Sequence, residues 1–177
     1  MPAQRYIIIN SAQPTTAAPV KQPTGTAIRT MMQLRPAIGF HPRVIEWGVS
    51  FDASAAGVPG QVELFETSVP ATMSTAYAAG DIMPHSHPGY TPANTAGASG
   101  VPFNLSTTTS GFATAAVTEG TVAGYRLCQA HLIAPTNQFV YTWPLSREFE
   151  IQAQMYLRCR MTFPVTVNAY IYIVVEL

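Results

Sequence analysis

Charge is what this sequence has least of. Only 10% of its 177 residues are Asp, Glu, Lys or Arg, against about 25% in an average soluble domain. Nine basic and nine acidic side chains cancel to a formal net charge of zero, and a single lysine, Lys21, stands beside eight scattered arginines. A nucleic-acid partner requires a basic face that replaces counterions, and these residues do not supply one. A weakly charged, neutral chain is also poorly protected against association. That suits a protein whose apolar surface is covered inside a larger assembly. The plainer alternative is a free protein kept in solution by Ser, Thr and Gln. No apolar run reaches the ~18 residues of a membrane helix. The longest, near Ala169–Val175, is β-branched and aromatic and reads as a strand. Arg5 followed by Tyr6–Ile9 is too short for a secretory signal core.

Cysteine is scarce as well. Cys128 and Cys159 have no metal or redox spacing and read as buried thiols in a reducing cytosol, with secretion and one disulfide as the other option. Helical periodicity is nearly absent. So are a Gly-x-Ser-x-Gly elbow, a phosphate-binding Gly-Lys loop and a dinucleotide fingerprint. These absences argue against an enzyme and imply no cofactor.

What the sequence does have is period-two alternation. In the last run Val165, Val167, Ala169, Ile171, Ile173 and Val175 point one way, and Thr166, Asn168, Tyr170, Tyr172 and Glu176 the other. Just before it, Met155, Leu157, Cys159, Met161 and Phe163 alternate with Tyr156, Arg158, Arg160 and Thr162. Pro164 cannot donate to a ladder, so the two runs read as a hairpin turning there. Ile45–Phe51 and Gln61–Thr67, joined by the small-residue stretch Ala53–Gly60, read as a second hairpin. Further strands are expected at Ile28–Leu34, at Thr121–Ile133 with a bend at Gly124, and at Phe139–Trp143. Tyr6–Asn10 reads as a possible edge strand. The total is roughly seven or eight strands. The fold expected is all-β: a jelly-roll-like two-sheet β-sandwich over residues 27–177, with an extended N-terminal arm over 1–26. A closed barrel is the alternative. The long segment of about 68–118 has Asp81 as its only formal charge and is expected to be an inserted loop. Loops of that length are rarely idle; it could lie on a neighbour or hold a short helix around Val69–Ala79.

Few constellations could carry chemistry. His85 and His87, flanked by Pro84 and Pro88, could hold a metal if His41, His131 or Asp81 approached, as in a cupin-type enzyme. A rigid polar loop explains them as well. Glu63, Glu66, Glu148 and Glu150 could supply the carboxylate pair of a glycosidase, or simply pair with Arg147, Arg158 and Arg160. No catalytic, cofactor or metal residue is assigned. Tyrosines give a stronger signal. Tyr170 and Tyr172 leave the Val/Ile side of the last strand, and Tyr156 leaves its own strand likewise, so both faces of these strands carry large side chains. Tyrosine contributes area plus a hydroxyl. Tyr156, Tyr170, Tyr172, Tyr6 and Ile8 are therefore the interface candidates. Coverage by the 68–118 segment and a sugar-binding platform are the alternatives.

Several segments bear a likeness. Arg43-Val-Ile-Glu-Trp-Gly-Val-Ser-Phe-Asp52 and Gly60-Gln-Val-Glu-Leu-Phe-Glu-Thr67 resemble small proteins encoded among phage structural genes. So do Leu132-Ile-Ala-Pro-Thr-Asn-Gln-Phe-Val140, Pro144-Leu-Ser-Arg-Glu-Phe-Glu150 and Val165-Thr-Val-Asn-Ala169. The likeness spans about Met31–Leu177 and omits the N-terminal arm and the histidine loop. It implies a capsid decoration, or cement, protein made in the bacterial host cytoplasm. Such a protein sits on the capsid exterior and binds the major capsid protein, with no direct nucleic-acid or membrane partner. A homotrimer suits local three-fold positions, and attachment to several subunits at once slows release. A carbohydrate-binding or fibre-like virion protein for host adsorption is the alternative.

Overall fold

Alternating β-branched and aromatic residues favour a pleated, half-buried strand, and strands are what they form. The computed structural model describes residues 4–14, 16–53, 57–85 and 102–177. Among these are thirteen strands: β1 (Arg5–Ile9), β2 (Gln22–Pro23), β3 (Arg29–Leu34), β4 (Arg43–Phe51), β5 (Gly60–Thr67), β6 (Thr75–Ala76), β7 (Ile82–Pro84), β8 (Gly111–Phe112), β9 (Arg126–Ile133), β10 (Gln138–Thr142), β11 (Phe149–Glu150), β12 (Tyr156–Thr162) and β13 (Asn168–Glu176). The only helical element among the described residues is a 3-10 turn at Ala79–Asp81, so none is long and apolar enough to cross a membrane.

The strands form two antiparallel sheets. One runs β10-β4-β13-β1-β7, with β11 also on β4 and β2 on β13; the other runs β6-β8-β3-β12-β5-β9. The eight longer strands pair in a nested way. β1 lies on β13, β3 on β12, β4 on β10 and β5 on β9. The expected all-β sandwich is thus the observed class. The inward faces share one core, in which Trp47, Ile171 and Ile173 of the first sheet meet Leu64, Leu157 and Cys159 of the second.

Both expected hairpins are replaced by crossings. β4 lies in one sheet and β5 in the other, and the same is true of β13 and β12. Alternation reports which face of a strand is buried, and both members of each pair bury one face in the same core. It does not report the sheet. The N-terminal strand is not an edge either, because β7 pairs with the side of β1 that β13 leaves free. The rest of the expected arm lies along its own domain. Asn10 spans Ala169 and Ile171 with its side-chain amide, Gln22 of β2 pairs with Ala169, and Lys21 Nζ meets Asp52 at 2.5 Å. The long strand expected from Thr121 begins only at Arg126, after Gly124 turns the chain at φ +59.

The 68–118 segment also departs from expectation. In place of a helix around Val69–Ala79 there is strand β6, and β6, β7 and β8 extend both sheets on one side of the sandwich. Two buried polar anchors fasten this insertion and the stretch that follows it. The Gln33 amide donates to Ala71 O at 3.1 Å and Thr109 O at 2.8 Å, and accepts from Ala71 N at 2.8 Å. Arg158, fully buried on the outer side of β12, donates to the Glu119 carboxylate, to Thr30 Oγ1 at 2.6 Å and to Val69 O at 3.3 Å. Glu119 in turn accepts from the backbone N–H and hydroxyl of Thr30. A buried guanidinium without its anion is costly. Glu119→Gln is therefore expected to cost about 2–4 kcal/mol in urea unfolding. An unchanged midpoint would show that this anchor holds nothing.

Candidate functional site

The insertion extends only one side of the sandwich, where the short strands β7 and β6 end the two sheets. On the other side β9 ends one sheet and β10 with β11 ends the other, and no described strand pairs with their outer edges. Unpaired edges carry rows of free N–H and C=O groups, which proteins usually guard with charge, above all lysine. Along β9 and β10 charge is scarce, and the charged side chains gather at the β11 end as Arg147, Glu148 and Glu150. Between Gly120 and Ser146 the only formal charge is Arg126, and it is bound to Glu66 at 2.9 Å.

The side chains along this side are apolar and open. Leu132 is 76% exposed, Leu127 48%, Val140 47% and Leu145 87%. Tyr125 continues the β9 strip and rests on Phe65, ring centres 5.0 Å apart. Cys128 sits at the register shift where β9 bulges against β5. Facing inward between the two edge strands is a polar–aromatic cluster. Gln129 Oε1 lies 3.4 Å from the indole N–H of buried Trp47 and 3.0 Å from His131 Nε2. Phe139 of β10 stacks on His131 at 4.1 Å and meets Trp47 edge-on at 5.3 Å.

The interface candidates from the sequence divide into two groups. Tyr6, Ile8 and Tyr156 are buried in their own chain, with Tyr156 beneath the Arg35 guanidinium at 5.3 Å, so they are corrected from interface to core. β1 is apolar on both faces, which hid its parity. Tyr170 and Tyr172 do lie half-exposed on the outer face of the first sheet. The Tyr172 hydroxyl donates to Glu46 Oε1 at 2.6 Å, and its ring covers Gly48, where a Cβ would collide with it. That hydrogen bond, with one from Thr142, holds the Glu46 carboxyl below its usual range. A shallow notch of about 170 Å³ lies beside the two tyrosines, bordered by Ser50, Gln138 and Val140.

The other candidates do not converge. His85 is exposed at the end of β7; His87 lies outside the described residues. The Asp81 carboxylate is taken by the N–H groups of Gln13 and Ala78. Glu63 pairs with Arg160 at 2.8 Å, Glu148 accepts from Ser146 N, and Glu150 faces His41 and Arg43. Among the described residues no three His, Cys, Asp or Glu side chains come together as metal ligands. Both cysteines are free thiols, and burial pushes their pKa values up. The sequence matches no protein-family model, and it has no match among curated proteins or solved structures.

Partial burial pulls the His131 pKa below 6.5. The folded chain then binds fewer protons at this site than the unfolded one, so stability is full above pH 6.5 and falls as pH drops toward the depressed value. Melting temperature is expected to fall between pH 7.5 and 5.5, and to fall less in His131→Gln. Equal losses in both proteins would remove His131 as the cause.

Proposed function

We propose that this protein is a virion component that decorates the outer surface of a phage capsid and stabilises the shell by bridging major capsid subunits. The observation that carries the reading is the β9–β10 side: two long edges that no described strand covers, with little charge along them and exposed leucines, on a sandwich whose other side its own chain extends with short strands. Such a surface is suited to burial against other chains and poorly suited to free solution. The stretches that resemble phage structural proteins support the reading further, since they fall on β4, β5, the β9–β10 turn, β11 and the entry to β13. They are framework strands, as a fold-level likeness requires. In this reading the protein acts by binding alone, is made in the host cytoplasm, forms a homotrimer and touches neither nucleic acid nor membrane.

Capsids lacking the protein test this directly. Added protein is expected to bind them saturably and to raise the temperature at which they release DNA. Failure to bind, with unchanged heat resistance, would contradict the proposal. One observation favours a second reading, host adsorption through glycans. The notch beside Tyr170 and Tyr172 offers aromatic rings next to Ser50 and Gln138. Binding on a glycan array that is lost in Tyr170→Ala would favour adsorption over decoration.

A further inference from the structure

We infer that the notch beside Tyr170 and Tyr172 is a subsite for one neutral hexopyranose ring of a glycan. The inference rests on the adsorption reading above and names the ligand of that site.

The notch follows from the register of three strands. β4 lies between β10 and β13, and Gln138, Ser50 and Tyr170 form one row across them. Val140, Gly48 and Tyr172 form the next row on the same face. The middle strand thus sets a glycine and a serine between larger side chains, which leaves a trough along β4. Strands about 4.8 Å apart put β10 and β13 roughly 10 Å from one another across it. Glycine inside a strand weakens it and often marks a close approach. Here it admits the Tyr172 ring, since a Cβ on Gly48 would stand 2.4 Å from its Cε1. The Tyr172 hydroxyl is held by Glu46, and Glu46 is held in turn by Thr142. The ring is therefore fixed before a ligand arrives, which lowers the ordering cost of binding.

Chemistry selects the occupant. A hexopyranose presents C–H groups on its faces and hydroxyls around its rim. The negative face of a tyrosine ring attracts such C–H groups, and the rim requires a few polar groups close by. The trough has both. Its two tyrosines are half-exposed. The Ser50 and Tyr170 hydroxyls and the Gln138 amide make no side-chain hydrogen bond among the described residues. Charge excludes the acidic classes. No Lys, Arg or His borders the notch. Glu46, which holds Tyr172, is ionised at neutral pH, because hydrogen bonds from Tyr172 and Thr142 pull its pKa down. Uronates, sialylated sugars and phosphates therefore meet a like charge and no counter-charge. Size limits the contact to one ring. The notch holds about 170 Å³, below the roughly 300–1,000 Å³ taken by drug-sized ligands. The rest of a glycan lies in solvent, and several copies on one particle compensate for a weak single contact.

The test is a titration of the full chain with the methyl glycosides of glucose, galactose and mannose, followed by ligand-observed NMR, with methyl glucuronide as the charged comparison. Wild type is expected to bind at least one neutral hexoside with a Kd of about a millimolar, as suits a dozen or so heavy atoms, and the glucuronide roughly tenfold more weakly. Ser50→Leu fills the trough and leaves both tyrosines in place, and it is expected to abolish binding. Tyr170→Ala is expected to weaken it roughly tenfold. Leu132→Ser, an exposed position on β9 of the other sheet, is expected to change nothing. Far-UV spectra and melting report whether each variant folds, and Gln138→Ala, at an exposed position, replaces Ser50→Leu if that variant does not. No binding of any neutral hexoside by wild type at tens of millimolar would overturn the inference, and so would binding that survives these substitutions. A glycan array separates this failure from that of the adsorption reading. Array binding that prefers acidic sugars, or that survives the substitutions, would remove the subsite and leave adsorption standing; an array without binding would remove both.

Discussion

Backbone N–H and C=O groups at the rim of a sheet must find partners, water or a guard, and a two-sheet sandwich has four such rims. Most proteins guard theirs with charged side chains. This chain has few to spend. On one side the insertion supplies β6, β7 and β8, so that very short strands end both sheets there, which is one way to blunt an edge. On the other side the longer β9 and β10 end the sheets, and no described strand pairs with their outer edges.

The sealed side depends on a small number of polar contacts. Gln33 and Arg158 both point out of the second sheet, where apolar side chains could not hold an irregular segment. Each satisfies several backbone or side-chain groups of the covering chain. Ala71, Met73 and Ala113 then pack as a small cluster separate from the main core. The insertion is therefore a built layer of the domain. Its polar anchors fix where it lies, and its own apolar residues contribute packing.

Much of this was legible in advance, and the failures have a common cause. Alternation placed β4, β12 and β13 and gave the buried face of each, because one side of a half-buried strand must be apolar. It could not tell a hairpin from a crossing, since Phe51 and Gln61, or Phe163 and Val165, are neighbours in sequence under either arrangement. Tyr6–Ile9 is apolar on both faces, so neither its parity nor its interior position could be read. Tyr156 was lost to a partner, Arg35, from another strand's end. The anchors were hidden by distance: Gln33 and Ala71 are 38 residues apart, and Thr30 and Glu119 are 89. Scarcity of charge around β9 was visible in the sequence, but its meaning depended on knowing that β9 is a rim.

Hydrogen exchange followed by mass spectrometry tests the central claim most directly. In dilute protein the amides of β9 and β10 should exchange fastest among the longer strands, because their outer edges have no partner. The rims covered by the insertion should stay protected. Protection of β9 and β10 equal to that of the other long strands, or early exchange at β1 and β3 beneath the insertion, would contradict the account.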